Sequence, residues 1–319
     1  MSRVSVVVTC YNQDEYIGDA IGSVVRQTRY DEISEVIIVD DGSEDDSGQV
    51  IREWDDRCEK VHRVYQENLG VAAARNTGIQ RSSSDFVAFL DGDDIWLEER
   101  LEVQLHFLDR NPGVGLLYTD VYAFGEEVEG RKRGYCSHYE HDDENVLRDL
   151  FAENGTILPS TALISRECLQ TVGLFDRSLP QAEDPDLWLR IAGEHSIHHI
   201  NEPLVLKRQR NDSLTADFEK NARYLIRVTD KIADLYPKLR PFRGKRKARV
   251  YSGLARNRAV SGERKGAVQA AIRAISHDFY SLSHYLTLVF AVLPVSSSQL
   301  QWLRERIQEA KLYIRRYTR

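Results

Sequence analysis

The chain is predicted to be an α/β protein, with a mostly parallel central sheet, helices on both faces and a C-terminal helical region. Three observations predict it. First, β-branched runs (VSVVVT, EVIIVD, DFVAFL) alternate with helical stretches over the first 110 residues, the pattern of a parallel sheet with crossover helices. Second, the runs at 4–9 and 35–40 are apolar with little alternation, as strands buried on both faces are. Third, charge divides the chain. Residues 219–319 hold 22 Lys/Arg against 7 Asp/Glu, a net +15, whereas residues 1–218 carry a net −22. Opposite charge on two parts indicates two structural units, here 1–215 and 216–319.

The elements follow in order. Residues 4–9 read as a strand and 14–27 as a helix, with Ile17, Ile21 and Val24 at helical intervals. Residues 35–40 form a second strand, ending in the turn sequence Asp40-Asp41-Gly42-Ser43. A helix over 46–57, a short strand over 61–65 and an Ala-rich helix over 70–81 come next. Residues 85–90 form a strand ending in Asp91-Gly92-Asp93-Asp94, and 96–110 an amphipathic helix. Beyond 112 the pattern loosens. Strands are expected at 113–124, 160–165 and 203–208. The charged stretch 126–145 reads as a loop. A helix over 184–194 starts with Asp184 as cap and Pro185 as first residue. From about 216 the chain is helical and basic, with a break at Pro237–Gly244.

Composition removes several classes. With 42% hydrophobic and 29% charged residues the chain is globular, not disordered. Four scattered cysteines without CxxC form neither a disulfide framework nor a zinc site, which fits a reducing, cytoplasmic setting. The N-terminus lacks the form of a signal peptide. The longest apolar run, Tyr285 to Val295, is too short to span a bilayer. Sequons at Asn154 and Asn211 carry no weight without secretion. Neither GxGxxG nor a Walker A sequence is present.

In parallel α/β sheets, ligands sit at the carboxyl ends of strands. Three such ends are polar here: Thr9-Cys10-Tyr11-Asn12, Asp40-Asp41 and Asp91-Gly92-Asp93-Asp94. Crowded carboxylates repel unless a cation joins them, and hard ions such as Mg²⁺ or Mn²⁺ favour oxygen ligands completed by phosphates. The alternative is a solvated Asp-rich turn. Arg75, on a helix facing the same edge, suits phosphate oxygens or is a surface arginine. Tyr11 suits a nucleobase or packing. Asp184, beside Glu183, is either a general base or a helix cap. His195, His198 and His199 have spacing that fits strand edges better than a ligand set.

These motifs together resemble family 2 glycosyltransferases of the GT-A fold. SVVVTCYNQDEYIGDAIGSVVRQT, VIIVDDGSEDDS, ENLGVAAARNTGI, FVAFLDGDDIWLEERLE, PSTALISRE and AEDPDLWLR follow in the family's order over about 3–214. The resemblance implies inverting transfer of a sugar from a nucleotide-sugar, by family weight a UDP-sugar, to an acceptor hydroxyl. It implies that Thr9 and Tyr11 border the base and Asp41 accepts a hydrogen bond from it. It places Arg75 by the nucleotide or diphosphate, Asp91 by the ribose or donor sugar, Asp93 on Mn²⁺ or Mg²⁺ with Asp94 close by, and Asp184 as general base.

Two departures matter. Where many relatives carry a His before a GSLS-like segment, this chain has Arg210 before NDSLT. Arginine cannot ligate a metal, and the reading is that Arg210 touches the diphosphate. Processive relatives carry QxxRW and membrane spans, which this chain lacks, so one or a few sugars per acceptor are expected. The implied setting is glycan assembly on a glycan or lipid-linked acceptor, in the cytoplasm or at the inner membrane face. The basic region 219–319 suits an anionic membrane surface, self-association into a homo-oligomer, or cover for the catalytic domain. Competing classes are a sugar-phosphate nucleotidyltransferase and a non-catalytic binder of nucleotide-sugars or polyanions. The run KLRPFRGKRKAR lacks aromatic partners beyond Phe242, which speaks against nucleic acid.

Overall fold

A computed structural model describes residues 4–125, 128–134, 136, 145–153, 156–209 and 217–292. Strands β1 (Val4–Cys10), β2 (Ile33–Asp40), β3 (Val61–Tyr65) and β4 (Phe86–Asp91) pair in parallel in the order β3-β2-β1-β4. Helices α1 (Asp14–Val25), α2 (Ser47–Arg57) and α3 (Val71–Arg81) lie between consecutive strands. The nine-stranded sheet continues from β4 through β8 (Leu163–Ser165), β6 (Val114–Gly125) and β9 (Ser196–Gln209) to β5 (Ile95–Trp96). Here β6 and β9 run parallel, while β8 and β5 are antiparallel to their neighbours.

The pleat divides the core into two layers. Val4, Val6 and Val8 of β1 meet Ile17 and Ile21 of α1, Ile51 of α2, and Leu101 and Leu105 of α4 (Arg100–Arg110). Val7 enters the opposite layer with Ile79 of α3, Leu150 of α5 (Val146–Glu153), and Leu187 and Trp188 of α7 (Glu183–Glu194). Successive side chains point to opposite faces, and helices cover both, so an apolar residue suits every position. Each Val or Leu buried this fully contributes about 1.5–3 kcal/mol. Helix α3 lies close on β1: a Cβ at Gly78 would come within 2.2 Å of Val7 Cγ1.

Several segments differ from the sequence reading. Within 126–145, expected as a loop, β7 (Val128–Gly134) pairs antiparallel with β6. A strand paired on one side tolerates charge, so its sequence VEGRKRG shows no apolar alternation. Helix α4 starts at Arg100 because Ile95 and Trp96 pair with β9. Of 160–165 only Leu163–Ser165 is strand, after a 3-10 turn over Pro159–Thr161. Helix α7 starts at Glu183 and is capped by Ala182, at a φ of 86°. Asp184 is therefore in the first turn rather than at the cap.

The C-terminal helices begin against the second core layer. Helix α8 (Phe218–Leu235) contributes Val228, Ile232 and Ala233 to it. Lys231 of α8 reaches Asp186 at 2.8 Å and Asp176 at 2.7 Å. The expected break is a 3-10 segment, Pro237–Phe242, leading into α9 (Arg243–Val260). Buried Arg246 of α9 donates to the Phe151 and Leu150 carbonyls at 2.8 and 3.3 Å. A cation there complements the C-terminal dipole of α5. Helices α10 (Arg264–His277) and α11 (Leu282–Val292) share a small alanine-rich cluster with α9.

Candidate active site

Parallel register brings the three polar strand ends side by side. Thr9 pairs with Val39 on one flank and Asp91 on the other, and Cys10 with Asp40. Thr9 is buried, and its carbonyl accepts from the Gly92 amide at 2.9 Å. Tyr11, the next residue past the strand, is 45% exposed. Asn12 takes a left-handed φ of 51°. Its amide donates to Ser43 Oγ at 3.0 Å and its Oδ1 accepts from the Glu44 amide at 2.8 Å, which ties the loops after β1 and β2 together.

Asp41 is buried and organises the loop before α3. Its carboxylate accepts from Gln66 Nε2 at 2.6 Å and from the Leu69 and Gly70 amides at 3.0 and 2.8 Å. Most of its acceptor capacity is thus already used within the protein.

Arg75 is enclosed rather than open to phosphate. Nη2 donates to Asp91 Oδ1 and Nη1 to Glu183 Oε1, both at 2.8 Å, so one guanidinium joins α3, β4 and α7. Burial disfavours its charge, but Asp91 and Glu183 outweigh this and raise its pKa. Burial likewise disfavours the ionised Asp91, and Arg75 and Lys207 outweigh it and hold that carboxyl below its ordinary value.

Asp93 is half-buried, and its carbonyl accepts from Arg208 Nε at 3.1 Å. Asp94 is 0% exposed. Its Oδ2 accepts from Ser160 Oγ at 2.6 Å and Lys207 Nζ at 3.3 Å, and its Oδ1 from the Arg208 amide at 3.1 Å. Burial, opposed by Lys207, pushes Asp94 up to about 7, with help from Asp91 and Asp93. Asp94 therefore buttresses the turn, joining it to β9 and to the 158–162 segment.

Asp184 lies in the first turn of α7, next to Glu183. Burial, then the charge of Glu183, push its carboxyl up to about 8 against the pull of Arg75. A carboxylate tuned to that range accepts a proton near neutral pH far better than an ordinary aspartate.

Lys207 and Arg208 have no motif that marks them, and Ser160 lies in the PSTALISRE run without any role that its sequence singles out. The Arg208 guanidinium lies over the Tyr16 and Phe124 rings at 4.4 and 4.5 Å. Ser160 is held because Trp96 Nε1 donates to its carbonyl at 2.9 Å, while Gln104 and Arg100 donate to Thr161 and Ala162. Arg210 and the NDSLT run lie outside the described residues, apart from which the expected site residues gather at this edge. His199 bonds Asp120 at 3.0 Å instead of joining a ligand set. All four cysteines are free thiols, and burial pushes Cys10 up to about 12, too high for a nucleophile.

The family model of glycosyl transferase family 2 matches residues 5–173, more than half of the chain and every strand end described above except that of β9. The chain belongs to glycosyl transferase family 2. A glycosyltransferase of Rickettsia felis is 31% identical over 234 residues, 72% of this chain but only 36% of that relative. TuaG of Bacillus subtilis, which carries the name of a teichuronic acid biosynthesis glycosyltransferase, is 30% identical over 69% of this chain and 84% of its own length. Among solved structures, S. aureus TarS 1–349 in complex with UDP-GlcNAc superposes with a TM-score of 0.65 at 19% identity, covering 86% of this chain and 81% of that one. The mannosyltransferase of Pyrobaculum calidifontis in complex with GDP-Man and Mn²⁺ gives 0.62 at 20% identity, covering 94% and 82%. These likenesses show the GT-A fold.

A divalent ion fits this family 2 site in a restricted way. Among the described residues no three His, Cys, Asp or Glu side chains are arranged as a ligand set, and Asp94 already serves Ser160, Lys207 and Arg208. Asp93 is the carboxylate that would hold a hard ion. Mg²⁺-type ions are commonly bound by one or two carboxylates with substrate phosphates completing the shell.

Proposed function

We propose that this family 2 enzyme transfers a sugar, with inversion, from a UDP-sugar to a hydroxyl of a glycan or lipid-linked acceptor. The observation that carries the reading is Asp184, a carboxyl with its pKa raised, placed with Glu183 and Arg75 at the edge that also carries Asp91 and Asp93. The donor complexes of the two structural neighbours support a nucleotide-sugar, and the name of the Bacillus relative supports a glycan acceptor.

In this mechanism Asp184 takes the proton from the acceptor hydroxyl. The acceptor oxygen bonds to the anomeric carbon while the bond from that carbon to the diphosphate oxygen breaks, releasing nucleoside diphosphate. A single displacement inverts the anomeric centre. Asp93 would hold Mn²⁺ or Mg²⁺, which supplies positive charge for the departing diphosphate. Thr9 and Tyr11 border the base, and Asp41 fixes the loop beside it. Arg75 holds Asp91 and Glu183 in place, so that Asp91 meets the ribose or sugar in one position; Arg210 is assigned to the diphosphate. Positioning and fixed charge supply most of the acceleration. The test is product analysis with nucleotide-sugars and simple glycoside acceptors. UDP release with a product of inverted anomeric configuration is expected. Release of pyrophosphate from a nucleoside triphosphate, or retention of configuration, contradicts the reading.

A further inference from the structure

Helix α11 turns most of its large aliphatic side chains away from the protein. Facing inward, His284 shares a 2.7 Å hydrogen bond with Ser252, Thr287 and Ala291 are buried beside it, and half-buried Leu288 packs on the alanine cluster. The helix's outward side is Leu282, Leu286, Val289 and Val292, all exposed, with Leu282 at 72%. The spacings of four, three and three residues put these on one stripe. At the α10–α11 turn, Phe279 and Tyr280 are exposed, Tyr280 at 95%, and Phe279 packs edge-on against Tyr285. Ile272 of α10 is exposed as well.

Charge identifies what meets this face. Residues 219–292 hold 16 Lys/Arg against 5 Asp/Glu, and Lys265 and Arg273 are exposed on α10, which packs against α11. A second copy docking by the same face would bring two basic surfaces together. An anionic surface is attracted instead, and it repels the acidic residues 1–218, so the molecule approaches with α10 and α11 foremost. Aromatic rings beside aliphatic side chains and basic residues suit the boundary between headgroups and acyl chains. Among the described residues no helix is long and apolar enough to cross a membrane, so the contact is interfacial.

We propose that the α10–α11 face binds an anionic lipid surface, inserting the Leu282–Val292 stripe with Phe279 and Tyr280 while Lys265 and Arg273 meet lipid phosphates. This stands apart from the transfer reaction and survives its failure. The test is sedimentation of the full chain with vesicles of phosphatidylglycerol and phosphatidylcholine, or of phosphatidylcholine alone. Binding is expected only with the anionic lipid, and falling as salt is raised. Lys265→Gln with Arg273→Gln should weaken it by about thirtyfold, given the usual attraction per basic residue. Leu286→Ser with Val289→Ser should abolish it with an unchanged melting temperature, since both side chains are exposed. Equal binding to neutral vesicles, binding that ignores both double substitutions, or no binding overturns the proposal. So does a dimer by light scattering that the Leu286→Ser, Val289→Ser protein no longer forms.

Discussion

Between Asp91 and Glu183, the Arg75 guanidinium is buried with both partners at 2.8 Å. Arg75→Met leaves Glu183 without its counter-charge and Asp91 with Lys207 alone, and breaking a buried pair in this way costs about 3–5 kcal/mol. Urea unfolding of the variant should show a loss of that size. Asp184 predicts a pH effect of definite sign. Its pKa rises from 3.8 to about 8 on folding, so ionising it costs the folded state. That cost is absent below the lower value, grows between the two and is constant above the higher one. Asp184→Asn should therefore gain stability relative to wild type as pH rises across that window and match it in acid. In wild type, kcat/KM should rise with pH up to about 8 and then level. The acidic strand ends and Asp184 were legible in the sequence because each sits in a short local motif. Lys207 was not: it meets Asp94 across 113 residues, and only the pairing of β5 with β9 brings them together. Arg75 was legible as a residue of this edge, but its enclosure between Asp91 and Glu183 depends on how α7 packs.

At the level of elements, the close seat of α3 on β1 sets where Arg75 points. Gly78→Ala places a methyl 2.2 Å from Val7 Cγ1, and overpacking of this kind costs about 1–3 kcal/mol. A lowered melting temperature together with weakened donor binding is the expected pair of effects. The first four strands and their helices were legible because buried parallel strands are continuous apolar runs and their connections are short. Strand β7 was hidden by its charged sequence. The start of α7 was hidden because Ala182 caps it in a left-handed conformation, for which alanine gives no signal.

For the whole molecule, the charge split suggested a boundary near 215/216, and the core crosses it: Val228, Ile232 and Leu239 belong to the layer that holds Trp188. We propose that α8 and α9 act as a brace on the catalytic unit, with Arg246 as its main polar tie. Arg246→Met removes charged hydrogen bonds to the end of α5, at about 1.5–3 kcal/mol for such a bond. Amide exchange should quicken in α5 and α9 while β1, β2 and β4 stay protected.

We propose metal-assisted transfer with Asp184 as base and Asp93 as metal ligand. It is tested most directly by measuring UDP-sugar binding and turnover, with Mn²⁺ or with chelator, in wild type, Asp93→Ala and Asp184→Asn. Metal-dependent binding that Asp93→Ala abolishes is expected. Asp184→Asn should bind normally but turn over about 100-fold or more slowly, the usual contribution of a general base. Unimpaired turnover by Asp184→Asn, or tight metal-dependent binding by Asp93→Ala, would contradict it.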